Sequence, residues 1–241
     1  QAYPNGYFST CTYPNPEKKE TMELGIALAK QKQADLVLAT DPDADRVGIA
    51  ARLDNGEYHL ISGNEMGVLL LDYLAKSKKE LGTLVSNPIA VRSIVSTPLA
   101  DEVAREYGVE LRHTLTGFKW IGDQIHQLEE KGEESRFLFG FEESYGYLSG
   151  TYVRDKDAVV ASMLICEMAA YYRSVGSSIM QALQEIYQKH GYYYAKVMSY
   201  EFTGFKAMEE MAAIMNRLRK DPMTAVDGQK VMEVVDYEEE T

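Results

Sequence analysis

Cysteine is almost missing from this chain: Cys11 and Cys166 are the only two in 241 residues. That excludes a disulfide framework and a thiolate zinc site, whose ligands come in close pairs, and makes a reducing, cytoplasmic setting the expectation. Positive charge is also scarce. Twenty-five Lys and Arg face 37 Asp and Glu, for a net charge of −12, so no nucleic-acid partner is expected, since that needs a basic face. No apolar run approaches the ~20 residues of a membrane span and no leader pattern is visible, so no membrane partner is expected either. The four histidines, His59, His113, His126 and His190, are scattered without metal-ligand spacing. There is no Gly-Lys-Ser/Thr phosphate loop, no Gly-x-Gly-x-x-Gly fingerprint and no Gly-x-Ser-x-Gly elbow. The chain lacks an initiator Met, opens in the turn-like Gln1-Ala2-Tyr3-Pro4-Asn5-Gly6 and closes on Glu238-Glu239-Glu240-Thr241. A processed or excised piece is the expectation.

What is present is a core and an acid cluster. Apolar residues make up 45% of the chain, enough for one large or two small folded domains. In Leu36-Val-Leu-Ala-Thr-Asp41-Pro-Asp43-Ala-Asp45-Arg46-Val-Gly-Ile-Ala-Ala-Arg52, three carboxylates alternate between two apolar runs. Carboxylates held this close repel one another unless a cation sits among them, and oxygen ligands suit a hard ion such as Mg²⁺. Arg46 adds a planar donor fork fitted to phosphate or to an acidic neighbour. A solvated acidic turn is the bland alternative. A calcium EF-hand fails: counting from Asp41, the required Gly and Glu positions hold Arg46 and Arg52.

The hydrophobic pattern predicts an α/β fold: two consecutive α/β domains with mixed, mainly parallel sheets. Helices are expected over 17–33, 63–80, from Thr97-Pro98 to Tyr107, after Thr116-Gly117, from Asp157 to Tyr172 and from Ser177 to Lys189. Strands are expected over 35–40, 47–52, 83–86, 109–113 and 137–141. Asp54-Asn55-Gly56 predicts a hairpin within 47–61. Ser62 and Glu65 have the spacing of a capping box. A domain boundary is placed near 78–83, where Lys78-Lys79-Glu80-Leu81-Gly82 breaks the apolar pattern.

Three further stretches carry chemistry. Phe139-Gly140-Phe141-Glu142-Glu143-Ser144-Tyr145-Gly146 ends a strand in a loop with carboxylates and a hydroxyl, suited to vicinal sugar hydroxyls or equally to a polar turn. Thr114-Leu115-Thr116-Gly117-Phe118-Lys119-Trp120 places Gly117 at a helix start, where free N–H groups suit an anion and Lys119 would join them; a capped helix with a solvated lysine is the plainer reading. Arg154-Asp155-Lys156-Asp157 precedes an apolar helix whose dipole suits Asp155 or Asp157 but not Lys156.

Taken in order, Asp-x-Asp-x-Asp-Arg, Thr-Gly-Phe-Lys, Phe-Glu-Glu-Ser-Tyr-Gly and Arg-Asp-Lys-Asp resemble the α-D-phosphohexomutases, the phosphoglucomutases and phosphomannomutases. The resemblance runs from about Pro4 to about Pro222. Members have four domains around one cleft, and this chain resembles most of domain 2 (residues 1–80) and domain 3 (81–222), with 223–241 leading toward domain 4. The serine motif of domain 1 (Thr-Ala-Ser-His-Asn-Pro) and the phosphate loop of domain 4 (Arg-x-Ser-Gly-Thr) do not occur in this sequence.

The resemblance implies Mg²⁺ held by Asp41, Asp43 and Asp45, with a phosphoserine from domain 1 as a further ligand. It implies Arg46 against the phosphoryl group, Glu142 and Ser144 on sugar hydroxyls, Thr116 and Gly117 at a substrate-contacting turn, and Lys119 nearby. It also implies that Lys156 contacts substrate and assists proton transfer. The activity implied is phosphoryl transfer between the 1- and 6-positions of a hexose phosphate through a hexose 1,6-bisphosphate; without domains 1 and 4 the isolated chain is expected to be inactive. Pro42, Ala44 and Ala158 stand where glycines are common, and Tyr145-Gly146 replaces a histidine of some phosphomannomutases, which favours the phosphoglucomutase-like branch. A phosphopentomutase-like member, a haloacid-dehalogenase-type phosphatase with Asp41 as nucleophile, and a non-catalytic sugar-phosphate or metal-binding module are the alternatives.

Overall fold

The computed structural model describes residues 5–11, 13–195, 202, 204 and 206–236. The expected opening turn at Gln1–Pro4 and the acidic end at 238–241 lie outside them. The described residues fall into two compact units, 1–195 and 196–241.

In the first unit, α1 (Lys19–Lys32) buries Met22 and Ala29 and ends on Gln33 in the left-handed region. It leads into a three-stranded sheet, β1 (Leu36–Thr40), β2 (Val47–Arg52) and β3 (Tyr58–Ile61), in that spatial order. This sheet is antiparallel throughout, with Leu36 opposite Ala51 and Arg52 opposite Tyr58. The mainly parallel pairing expected of both sheets is therefore absent here, because connections this short cannot make a crossover.

Helix α2 (Gly63–Glu80) begins with the expected capping box: the Ser62 hydroxyl accepts from the Glu65 N–H, and Glu65 Oε2 accepts from the Ser62 N–H at 2.8 Å. It is buried from Met66 to Ala75 and packs on both α3 (Leu99–Tyr107) and β6 (Phe137–Glu142), elements of the following sheet. That sheet has the order β5-β4-β6-β7, with β4 (Ile89–Ser93), β5 (Glu110–Thr114) and β7 (Gly146–Leu148). β4 runs parallel to β5 and β6, and β7 closes the edge antiparallel. Crossover helices cover both faces, as a parallel sheet requires. Ile89, Val91 and Phe137 pack with Phe118, Ile121 and Ile125 of α4 (Phe118–Glu129) in one cluster. Ala90, Phe139 and Phe141 join α2, α3, α5 (Ala158–Ser174) and α6 (Ile179–His190) in the other.

The strand expected at 83–86 is not formed; the central strand lies at 89–93 instead. Thr83 and Leu84 are spent on the end of α2, where both N–H groups bond to the Lys78 carbonyl. Strand β7, not expected from the sequence, is only three residues long.

The second unit holds α7 (Ala207–Lys220) and a small hairpin of β8 (Ala225–Val226) and β9 (Gln229–Lys230). Asp227 and Gly228 turn it with φ of 49° and 76°, the positive values of a tight hairpin turn.

Candidate functional site

β1 must reverse into β2 within residues 41–46, and Asp41 organises the turn. Its Oδ1 accepts the N–H groups of Asp45 and Arg46, each at 3.1 Å, and its carbonyl accepts from Ala44 N–H at 3.1 Å. Ala44 takes φ of 56°. A side chain there costs about 1 kcal/mol, which is the physical reason a glycine would suit the position. The turn gathers the three acids: one oxygen each from Asp41, Asp43 and Asp45 lies within 4.8 Å of the others.

Backbone hydrogen bonds stitch this loop to two others. Arg46 bridges to Gly146 and Val47 N–H donates to the Tyr145 carbonyl at 3.2 Å, joining the end of the β6–β7 turn. Ala158 N–H donates to the Ala44 carbonyl at 3.1 Å, and Asp157 N–H to the Tyr147 carbonyl at 2.9 Å, joining the start of α5. Asp157 is the cap of that helix: its Oδ1 accepts from Val159 and Val160 N–H at 2.8 and 3.0 Å.

Capping sets Lys156 facing inward. Its ammonium lies 2.9 Å from Asp45 Oδ2 and 3.0 Å from Asp155 Oδ1, and 5.5 Å from the centre of the Phe118 ring, with the side chain 12% exposed. Gly146 makes room for it, since a Cβ there would come within 2.2 Å of Lys156 Cδ. Burial alone would lower the lysine's pKa, but the hydrogen bonds and charges of Asp45 and Asp155 outweigh it and raise it. Arg46 is arrayed among acids, 3.6 Å from Glu17, 3.8 Å from Asp45 and 3.9 Å from Asp41.

The carboxylates feel this crowding. Burial is the main force pushing Asp41 upward, with Asp45 and Asp43 adding to it against the opposing Arg46 N–H bond. Burial also pushes on Asp45, but the Lys156 hydrogen bond, Asp41 and the charges of Lys156 and Arg46 prevail and hold it below its ordinary value. Among the described residues, Asp45 Oδ1 is the one buried side-chain oxygen or nitrogen without a hydrogen-bond partner. A buried carboxylate oxygen is rarely left so. Three converging carboxylates and this unsatisfied oxygen fit a hard divalent cation bound by oxygen.

Glu142 closes the other side. It is 4% exposed at the end of β6, and its Oε1 accepts the Gly117 N–H at 2.6 Å. Gly117 takes φ of 119°, a conformation that side chains rarely adopt. Burial raises the Glu142 pKa, and Glu143 adds to that, while the Gly117 N–H, Lys156 and Arg46 pull the other way. The predicted residues Asp41, Asp43, Asp45, Arg46, Lys156, Gly117 and Glu142 are thus brought together. Ser144 stands half-buried on the β6–β7 turn, and Thr116 is exposed just before α4. Lys119 is not drawn in: its ammonium lies 5.0 Å over the ring of Trp120. Sequence reasoning gave no role to Phe118 under Lys156, although it stands in the Thr-Gly-Phe-Lys motif, and missed Glu17 beside Arg46, which no motif marks. It also gave no role to Glu143 within the Phe-Glu-Glu-Ser motif, because its partners Ser93, at the end of β4, and Ser96, in the loop after it, carry no motif. A cavity of about 570 Å³ lined by Arg52, Arg173 and Ser177 contains none of these residues.

The fold and site define an α/β protein with three clustered carboxylates, a buried glutamate at the end of β6 and a buried lysine just before α5. Residues 1–54 match the phosphoglucomutase/phosphomannomutase alpha/beta/alpha domain II, and residues 62–190 match alpha/beta/alpha domain III of the same family. The chain belongs to the phosphoglucomutase/phosphomannomutase family. It is 37% identical over 237 residues to the phosphoglucomutase of Staphylococcus aureus (strain USA300), and 37% identical over 231 residues to that of Staphylococcus haemolyticus (strain JCSC1435). These alignments cover 98% and 96% of the chain but only 42% and 41% of the relatives, so it spans well under half their length. Among solved structures it resembles a putative phosphomannomutase from Thermus thermophilus, at TM-score 0.57 and 24% identity over 74% of this chain and 36% of that one. A family protein from Burkholderia thailandensis gives TM-score 0.59 and 16% identity over 91% and 41%.

Proposed function

We propose that this chain is the metal-loop and sugar-loop portion of a hexose-phosphate mutase, an isomerase that moves a phosphoryl group between the 1- and 6-positions. Its metal-loop domain comprises residues 1–80 and its sugar domain 81–222, with 223–241 leading onward. The observation that carries the reading is the Asp45 carboxylate, held through one oxygen by Lys156 while the other is buried without a hydrogen-bond partner among the described residues. Asp41, Asp43 and Asp45 would hold Mg²⁺, which when bound offsets charge on the transferring oxygens. Arg46 meets the phosphoryl group as a donor fork. Glu142 and Ser144 hold the sugar hydroxyls, Thr116 and Gly117 form the substrate turn with Lys119 only nearby over Trp120, and Lys156 contacts substrate and assists proton transfer.

The phosphoserine that exchanges the group with hexose 1,6-bisphosphate comes from a part of the enzyme outside these residues. The 37% identity to phosphoglucomutases supports glucose phosphates as substrate, with a phosphopentomutase-like preference as the second reading. Family membership leaves no support for the haloacid-dehalogenase-type alternative. The test is a panel of hexose and pentose 1-phosphates assayed with the full-length polypeptide, with and without Mg²⁺, beside the 241-residue chain alone. Mg²⁺-dependent conversion by the full-length protein and none by the isolated chain is expected. Clean conversion of glucose 1-phosphate by the isolated chain would overturn the reading.

A further inference from the structure

Arg92 is a charge inside a core strand. Its side chain on β4 is 7% exposed, where an unpaired cation is strongly disfavoured. Its Nε and Nη2 both donate to Asp101 Oδ2 of α3, at 3.0 and 2.7 Å. Its Nη1 donates to the carbonyls of Ser93 and Ser96, each at 3.0 Å. One guanidinium therefore fastens the end of β4, the loop after it and the first turn of α3. His113 Nε2 lies 2.7 Å from the other Asp101 oxygen.

The loop so fixed presents two hydroxyls to a single carboxylate. Ser93 Oγ and Ser96 Oγ donate to Glu143 Oε2 at 2.8 and 3.1 Å, and Ser96 Oγ accepts the Glu143 N–H at 3.2 Å. Both the side chain and the backbone of Glu143 are thus held. On its far side the Glu143 carbonyl lies against the start of α2, so close to Gly63 that a Cβ there would fall within 1.9 Å. Asn64 of the same helix accepts the Thr97 N–H at 2.9 Å and ties the serine loop to α2.

We propose that Arg92, Ser93, Ser96 and Glu143 are positioning residues for sugar recognition. The arginine sets the serines, the serines set Glu143, and Glu143 fixes Glu142 and Ser144 on either side of it. This rests on the reading of Glu142 and Ser144 as the sugar-binding pair. None of the four is assigned contact with substrate; they act through a loop that must be held to a fraction of an ångström, because small misplacements in such sites cost up to about 100-fold.

The test uses the full-length mutase with Glu143→Ala, Glu143→Gln, the double variant Ser93→Ala/Ser96→Ala, and Glu142→Gln as control. Glu143→Ala should raise KM for the hexose phosphate about tenfold or more, with kcat falling less and the Mg²⁺ requirement unchanged. Glu143→Gln keeps a carbonyl oxygen for the serines and should return KM to within about threefold of wild type. The serine double variant should raise KM at least as much as Glu143→Ala, since it removes both hydroxyl–carboxylate bonds and the acceptor of the Glu143 N–H, and combining it with Glu143→Ala should add nothing beyond the double variant. If the double variant does not fold, the Ala and Gln variants at Glu143 decide alone. A raised KM in Glu142→Gln with a wild-type KM in Glu143→Ala would overturn the positioning role while leaving the sugar loop in place. A lowered Tm in Glu143→Ala with unchanged KM would do the same. An unchanged KM in Glu142→Gln would instead overturn the sugar-loop reading itself.

Discussion

Lys156 holds Asp45 by one oxygen only: the ammonium lies 2.9 Å from Oδ2, while Oδ1 is buried without a hydrogen-bond partner. The lysine thus serves two ends. It compensates a carboxylate that burial would otherwise discharge, and it holds Oδ2 so that Oδ1, with only the Arg46 guanidinium at 3.8 Å, makes no hydrogen bond. That geometry depends on two glycine-like features of the neighbouring loops, the missing side chain of Gly146 and the left-handed turn at Ala44.

Replacing Asp43 by Asn should weaken Mg²⁺ binding to the 241-residue chain by about tenfold or more, since affinity at oxygen sites follows the count of charged ligands. Asp43 is exposed, so the fold should be unaffected. Calorimetric titration with Mg²⁺, alongside a circular dichroism melt, checks both halves. Unchanged affinity would remove Asp43 from the ligand set.

The acid cluster and the Glu142 loop were legible because their chemistry lies in contiguous sequence: an apolar strand that ends abruptly in carboxylates has few uses. The capping box at Ser62 and Glu65 was legible for the same reason, as was the helix start at Asp157. What stayed hidden depends on distant partners. Arg92 reads as a polar interruption in Ile89-Ala-Val-Arg-Ser93, and only Asp101, nine residues on, turns it into a core residue. Thr83–Ser86 carries better strand composition, yet the end of α2 claims its backbone N–H groups. β7 is too short for alternation to register, and its pairing is set by the bridge of Arg46 to Gly146 across the two loops.

Gly63→Ala should destabilise the chain by about 1–3 kcal/mol, the usual cost of overpacking. The contact is with backbone, the Glu143 carbonyl at 1.9 Å from the added Cβ, which no rotamer change relieves. Ala has the better helix propensity, so a propensity-dominated site would show the opposite sign. Chemical denaturation, read as a shift in midpoint at constant slope, distinguishes the two.

Glu106 links α3 to α6 through Lys189 and through His190 Nε2 at 3.0 Å. Burial pushes its pKa up, but Lys189 and then His190 overcome this and place it below the ordinary value of 4.5. The folded pKa is below the unfolded one, so the contribution is complete above about 4.5 and is lost as pH falls through the folded pKa. Glu106→Gln should therefore be less stable than wild type at neutral pH, by on the order of 1 kcal/mol. The two should converge in acid. Melts from neutral pH down to about 3 check this; a gap that widened in acid would reverse the sign of the linkage.

Lys156→Met should separate the two ends that the lysine serves. The methionine stem still fits beside Gly146 and over Phe118, but the ammonium is gone from its place 2.9 Å from Asp45. A cation among Asp41, Asp43 and Asp45 is repelled by that ammonium by about 1–2 kcal/mol at water-like screening. Its removal should tighten Mg²⁺ binding by up to about tenfold. In the full-length protein the same variant should lose hexose-phosphate turnover if Lys156 contacts substrate as proposed. Tighter metal with lost turnover is the expected pair of results from calorimetry and a coupled assay. Weaker metal binding would mean that the lysine's hold on Asp45 Oδ2 matters more to the site than its charge does, and that the unsatisfied Oδ1 is aimed only while Lys156 is there to aim it.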